Sequence, residues 1–72
     1  MTDRNLFSLD NTDGFTPCQI ETLNSAVRFL RCEYDCDGIE DYSIADAISN
    51  AFDDDEIFEV IAAAAANSLG IN

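Results

Sequence analysis

A chain of 72 residues has room for one domain and a small core, near the lower limit for folding without a disulfide, a metal or a second subunit. Its hydrophobic content of 47% is that of a globular domain and too high for a disordered acidic tail. Fifteen acids against three bases give a net charge of −12, which sets the protein against direct binding to DNA or RNA, because phosphates would be repelled rather than neutralised.

No apolar run reaches the length of a membrane span, and Met1–Arg4 is no secretory n-region, so the expectation is a soluble protein of the cytoplasm with no membrane partner. The three cysteines, Cys18, Cys32 and Cys36, lack metal-ligand spacing, and with no His in the chain a structural zinc site is not expected. Cys32 and Cys36 would share a face if both were helical. Partly buried reduced thiols and a disulfide, including one between chains, both stay open as readings.

In chain order, residues 1–14 form an arm whose Leu6, Phe7 and Leu9 are expected to pack across the helices that follow. The turn-rich stretch Asp10 to Gly14 hints at a calcium loop. An EF-hand needs Gly at the sixth loop position and a bidentate Glu at the twelfth. Counting from Asp10 puts Gly14 one place early, and counting from Asp35 puts Gly38 two places early, so neither qualifies.

The first helix, about 16–35, has a full start signal. Thr16 is the expected N-cap, Pro17 sits at N1, and Gln19 at N3 completes a capping box, with Phe15 and Ile20 at the hydrophobic-staple positions. Ile20, Leu23, Ala26, Val27, Leu30 and Tyr34 line one face. Arg28 and Arg31 lie late, where cations suit the negative end of the helix. A second helix, about 43–52, is expected to start at Ser43, with Ile44, Ala47, Ile48, Ala51 and Phe52 as its buried stripe. Asp53-Asp54-Asp55-Glu56 then reads as the start of a third helix, about 53–69, with Asp53 as cap and Phe52 and Ile57 as staple. After Glu59 no side chain is charged, so this helix should be buried nearly all round and end at Gly70. Its alanines suit close packing, either as the central helix or in a homodimer seam. The sum is an all-α single domain, residues 1–72, of three helices with a short N-terminal arm.

Catalysis is not expected. The chain has no His, no Lys and no Trp, no Gly-rich phosphate loop and no nucleophile motif, and a bundle this small offers little cavity for a substrate. No cofactor and no metal are expected either.

The charge distribution is the informative feature. Asp35, Asp37, Glu40, Asp41, Asp46, Asp53, Asp54, Asp55, Glu56 and Glu59 fall in one third of the chain with no Lys or Arg among them. Acids in a first turn are stabilised by the helix dipole, which accounts for some of these carboxylates but not for all ten. Duplex DNA carries one negative charge per ~1.7 Å of axis, and acids three or four apart on a helix sit ~5–6 Å from one another on a rigid frame. Such a surface suits a basic groove that normally holds nucleic acid, with steered and salt-sensitive association. These ten acids are the candidate partner-binding residues, and the partner is a basic nucleic-acid-binding protein.

Two resemblances bear on the partner. Asn11-Thr12-Asp13-Gly14-Phe15-Thr16, followed by Ile20 and Leu23-Asn24, resembles the opening of short proteins from phages and bacterial genomes. As a class, the whole chain is similar to small acidic anti-CRISPR proteins, nucleic-acid mimics that block CRISPR effectors. The resemblance implies action in the cytoplasm of a bacterial host cell, on an effector that holds nucleic acid in a positively charged channel. The class has no shared motif, so the acids named above rest on this chain's own charge pattern. Two other readings stay open. One is an antitoxin or immunity-type inhibitor of a nuclease. The other is a small dimerising protein whose acids only keep it soluble.

Overall fold

The computed structural model describes Phe7 and residues 14–71. Over these residues the protein is all-α, with three helices: α1, Pro17–Glu33; α2, Asp41–Ala51; and α3, Phe58–Leu69. Both α1 and α2 pack extensively on α3 and less on each other. The helix with the most alanine is therefore the hub, since small side chains let two neighbours approach it.

The start of α1 forms as its sequence dictates. The Thr16 backbone N–H donates to Gln19 Oε1 at 2.8 Å, and the Gln19 N–H donates to Thr16 Oγ1 at 3.2 Å, closing the capping box with Pro17 just inside it. Ile20, Leu23, Ala26, Val27 and Leu30 are buried as their spacing predicts, and Tyr34 is half-buried. Phe15 stacks edge-on against Phe52 with ring centroids 5.3 Å apart, tying the entry of α1 to the exit of α2.

The second helix begins two residues before the expected Ser43 cap. Glu40 is its N-cap, without a side-chain capping bond, and its carbonyl accepts from Ser43 and Ile44. The turn before it is complete by Ile39, whose N–H reaches the Cys36 carbonyl at 3.0 Å across Gly38 at φ 87°, a conformation that favours glycine. Asp41 can then enter the first turn of α2, where the dipole favours a carboxylate and Arg31 of α1 pairs with it.

The third helix departs furthest from expectation at its start. Residues 53–56 do not belong to α3; they form a separate turn. Asp53 Oδ1 accepts the Asp55 N–H at 2.9 Å, and the Asp53 carbonyl accepts the Glu56 N–H at 3.1 Å. An aspartate that bonds the backbone two residues on makes an Asx-turn, which competes with helix initiation. Ile57 becomes the N-cap and is exposed, with no side-chain bond, so it does not serve as the apolar half of a staple with Phe52. The other end agrees with the sequence. Gly70 sits at φ 79° and Ile71 N–H bonds the Ala66 carbonyl at 2.9 Å, a Schellman closure.

Nor is α3 buried all round. Ile61, Ala62, Ala65 and Ala66 are buried between α1 and α2, whereas Val60, Ala63 and Ala64 face solvent. Two neighbours cover only one side of a helix. Of the arm, Phe7 is buried in the core, and the expectations for Leu6, Leu9 and the Asp10–Asp13 turn lie outside the described residues.

Candidate functional site

All ten candidate acids are exposed, and the fold sorts them into two turns and the helix between them. Asp35, Asp37, Glu40 and Asp41 belong to the turn that enters α2. Asp53, Asp54, Asp55 and Glu56 belong to the turn that leaves it, with Glu59 in the first turn of α3. The eleven residues of α2 hold the two groups apart by roughly 16 Å at 1.5 Å per residue. Asp46 stands between them on the outer side of α2, with Asn50 Nδ2 donating to Asp46 Oδ2 at 3.4 Å. The acids thus make two foci joined by one carboxylate, less even than a continuous anionic strip.

Both foci are built by the same device. Asp35 Oδ1 accepts the Asp37 N–H at 3.1 Å, just as Asp53 Oδ1 accepts the Asp55 N–H in the second turn. Asp35 and Asp53 therefore have structural work as turn formers, and their neighbours hold the outward charge. Each focus is also tied to α1. Arg31, near the C-terminal end of α1, pairs with Asp41. At the other end Gln19 Nε2 donates to Asp54 Oδ1 at 2.7 Å. α1 therefore meets one focus near each of its ends.

Among the described residues Arg31–Asp41 is the ion pair that forms. Both of its side chains are well exposed, so its contribution to stability is at most about 1 kcal/mol. The remaining nine candidate acids are exposed, although Asp35, Asp46, Asp53 and Asp54 each also accept a local hydrogen bond. Beside the second focus is a hollow of about 130 Å³ lined by Cys18, Gln19, Thr22, Phe52, Asp53, Asp54 and Glu56, too small for a drug-sized ligand. No group of three or more Cys, Asp or Glu side chains converges to hold a metal among the described residues, and no helix there is long and apolar enough to cross a membrane.

The cysteines separate by environment. Cys18 and Cys32 are exposed, Cys36 is half-buried, and all three are free. Because α1 ends at Glu33, Cys36 is not on a helical face with Cys32. Its thiol instead donates to the Leu30 carbonyl at 3.7 Å. Burial pushes the Cys36 thiol pKa up, with the Arg31 guanidinium pulling it down and Asp35 adding to the rise.

Sequence reasoning did not foresee two roles. Asn24 is buried on the apolar face of α1 and Gln19 reaches across to Asp54. Asn24 had a signal, since it lies four residues after Ile20 in the buried stripe. Gln19 to Asp54 had none, being a contact across 35 residues. Comparison of the chain with protein-family models, curated proteins and solved structures finds no match.

Proposed function

We propose that this protein is a non-catalytic inhibitor that occupies a basic nucleic-acid-binding surface of another protein, with a subunit of a CRISPR effector as the favoured target. The supporting observation is that two acidic turns, held a fixed distance apart by α2, direct nearly all of their charge at solvent. A rigid pair of anionic foci offers a basic groove the kind of charge it meets in nucleic acid, and charge of this density steers encounter. A nuclease with a cationic active-site cleft would be met by the same physics, which keeps the immunity-type inhibitor as the second target class.

The test uses purified protein immobilised and exposed to bacterial lysate containing CRISPR effector complexes, followed by elution with short duplex DNA. The expected result is an effector retained on the protein and released by DNA. Reversing Asp55 and Glu56 to lysine should abolish retention while the thermal unfolding transition survives. That pair is preferable to Asp54, because Asp54 also bonds Gln19. A nuclease released by DNA would move the target to the second class. The absence of any DNA-sensitive partner would overturn the reading and leave the acids as a solvated surface.

A further inference from the structure

We propose that the outer face of α3, anchored by Ile57 and Val60, is a docking surface for a cationic amphipathic helix presented by the protein partner. The inference rests on reading the acidic turns as a site for a basic protein and adds an apolar anchor to it. Ile57 is 59% exposed and Val60 46% exposed. Neither side chain belongs to the hydrophobic core or packs against it. Val60 points away from the side that α1 and α2 cover, and Ile57 occupies an N-cap, where an apolar β-branched residue ranks far below Ser, Thr, Asp or Asn. Exposed Ala63 and Ala64 extend the face without charge.

Charge complementarity selects the occupant. The apolar face begins where the exposed acids Asp53–Glu56 end, and Glu59 borders it. An apolar centre with a charged rim is the usual anatomy of a protein interface. A helix that lays an apolar stripe along Ile57 and Val60 would bring its flanking Lys or Arg side chains onto those carboxylates. A second copy of this chain fits less well. It would carry the same net charge of −12. The outer face of a twelve-residue helix, about 18 Å long, also falls well short of the ~800 Å² per partner of a stable interface. A partner that covers the acidic turn as well gains the missing area.

The test is titration calorimetry of the whole protein with two synthetic peptides: an amphipathic helix of Leu and Lys, and its counterpart with each Leu replaced by Ser. The wild-type protein should bind the Leu/Lys helix with a negative heat-capacity change, the mark of apolar burial, and bind the Ser/Lys peptide more weakly. The I57S/V60S variant should lose about tenfold or more in affinity for the Leu/Lys helix, as for an interface anchor, and keep its affinity for the Ser/Lys peptide. Should it fail to fold, I57T/V60T retains the branched shape and serves the same comparison. Undiminished binding of the Leu/Lys helix by the variant overturns the proposal. So does no binding by the wild type, or a wild-type dimer that the variant turns into monomer. The D55K/E56K variant separates the two readings. If it weakens both peptides while I57S/V60S weakens neither, the apolar anchor alone fails. If it weakens neither peptide, the acidic site itself fails.

Discussion

Asn24 and Phe7 exchange two hydrogen bonds: the Phe7 N–H donates to Asn24 Oδ1 at 3.1 Å, and Asn24 Nδ2 donates to the Phe7 carbonyl at 3.0 Å. The side-chain amide satisfies both backbone groups of a residue that is itself buried. A polar group can sit in so small a core only when all its bonds are made, and Asn24, at 7% exposure, has no unsatisfied atom.

Asn24→Leu should therefore destabilise the protein although it adds apolar volume to the core, because it leaves the Phe7 N–H and carbonyl without partners. The expected loss is about 1–3 kcal/mol, read from the urea midpoint at unchanged slope. For a domain of this size each kcal/mol lowers the Tm by about 4–8 °C. Asn24→Asp retains the acceptor, loses the donor and buries a charge, so it should be no better than Asn24→Leu. Wild-type stability in both variants would show that Phe7 is held by its ring alone.

Gln19 has two tasks on one amide: its oxygen caps Thr16 and its nitrogen holds Asp54. Gln19→Glu keeps the cap and sets a carboxylate against Asp54. Its expected penalty is about 0.5–1 kcal/mol at low ionic strength, comparable to an exposed charge pair of opposite sign, and it should shrink as salt screens the repulsion. Gln19→Ala loses both bonds and should be destabilised with little salt dependence beyond that of the wild type. Unfolding of the three proteins at low and moderate salt separates the outcomes. Equal salt dependence in Gln19→Glu and wild type would mean that the Asp54 contact does not persist in solution.

Most of the fold could be read from short-range chemistry, and its errors have a common physical origin. Thr16, Pro17 and Gln19 signal α1 within four residues, and Gly70 signals the end of α3 by itself. Starts that depend on competition were misplaced. Asp53 could cap a helix or close an Asx-turn, and local sequence does not decide between them; the turn formed, and α3 starts at Phe58. Ser43 was the better cap by type, but Asp41 had a partner in Arg31 that only the packed helices bring near. For the candidate site, exposure of the ten acids followed from their chemistry. Their division into two foci did not, because it depends on where α2 begins and ends. The outer face of α3 was missed because a helix with no charge after Glu59 reads as buried, and two neighbours cannot surround it.

The excess of exposed carboxylates predicts a salt response opposite in sign to that of a protein held by ion pairs. With a net charge of −12 and a single ion pair among the described residues, screening relieves more repulsion than attraction. The Tm should rise on going from low to moderate salt. Neutralising reversals such as D55K/E56K should raise the low-salt Tm and flatten this rise. A Tm that falls with added salt would indicate that attractive pairs outweigh the repulsion.

The three thiols should react at unequal rates, and the titration of Cys36 should link to stability. Cys18 and Cys32 are exposed, whereas Cys36 is half-buried and bonded to the Leu30 carbonyl. Under native conditions a thiol reagent should modify Cys18 and Cys32 first, and Cys36 only after local opening or unfolding. Burial raises the Cys36 pKa above its unfolded value, so the fold favours the protonated thiol. Its stabilising contribution is fully present below the unfolded thiol pKa and is lost as pH rises through the folded one. Stability should thus decline on the alkaline side of the thiol range, and Cys36→Ala should remove that part of the decline while leaving the neutral-pH slope unchanged. Equal modification rates at all three cysteines would show that the segment after α1 opens freely from Leu30.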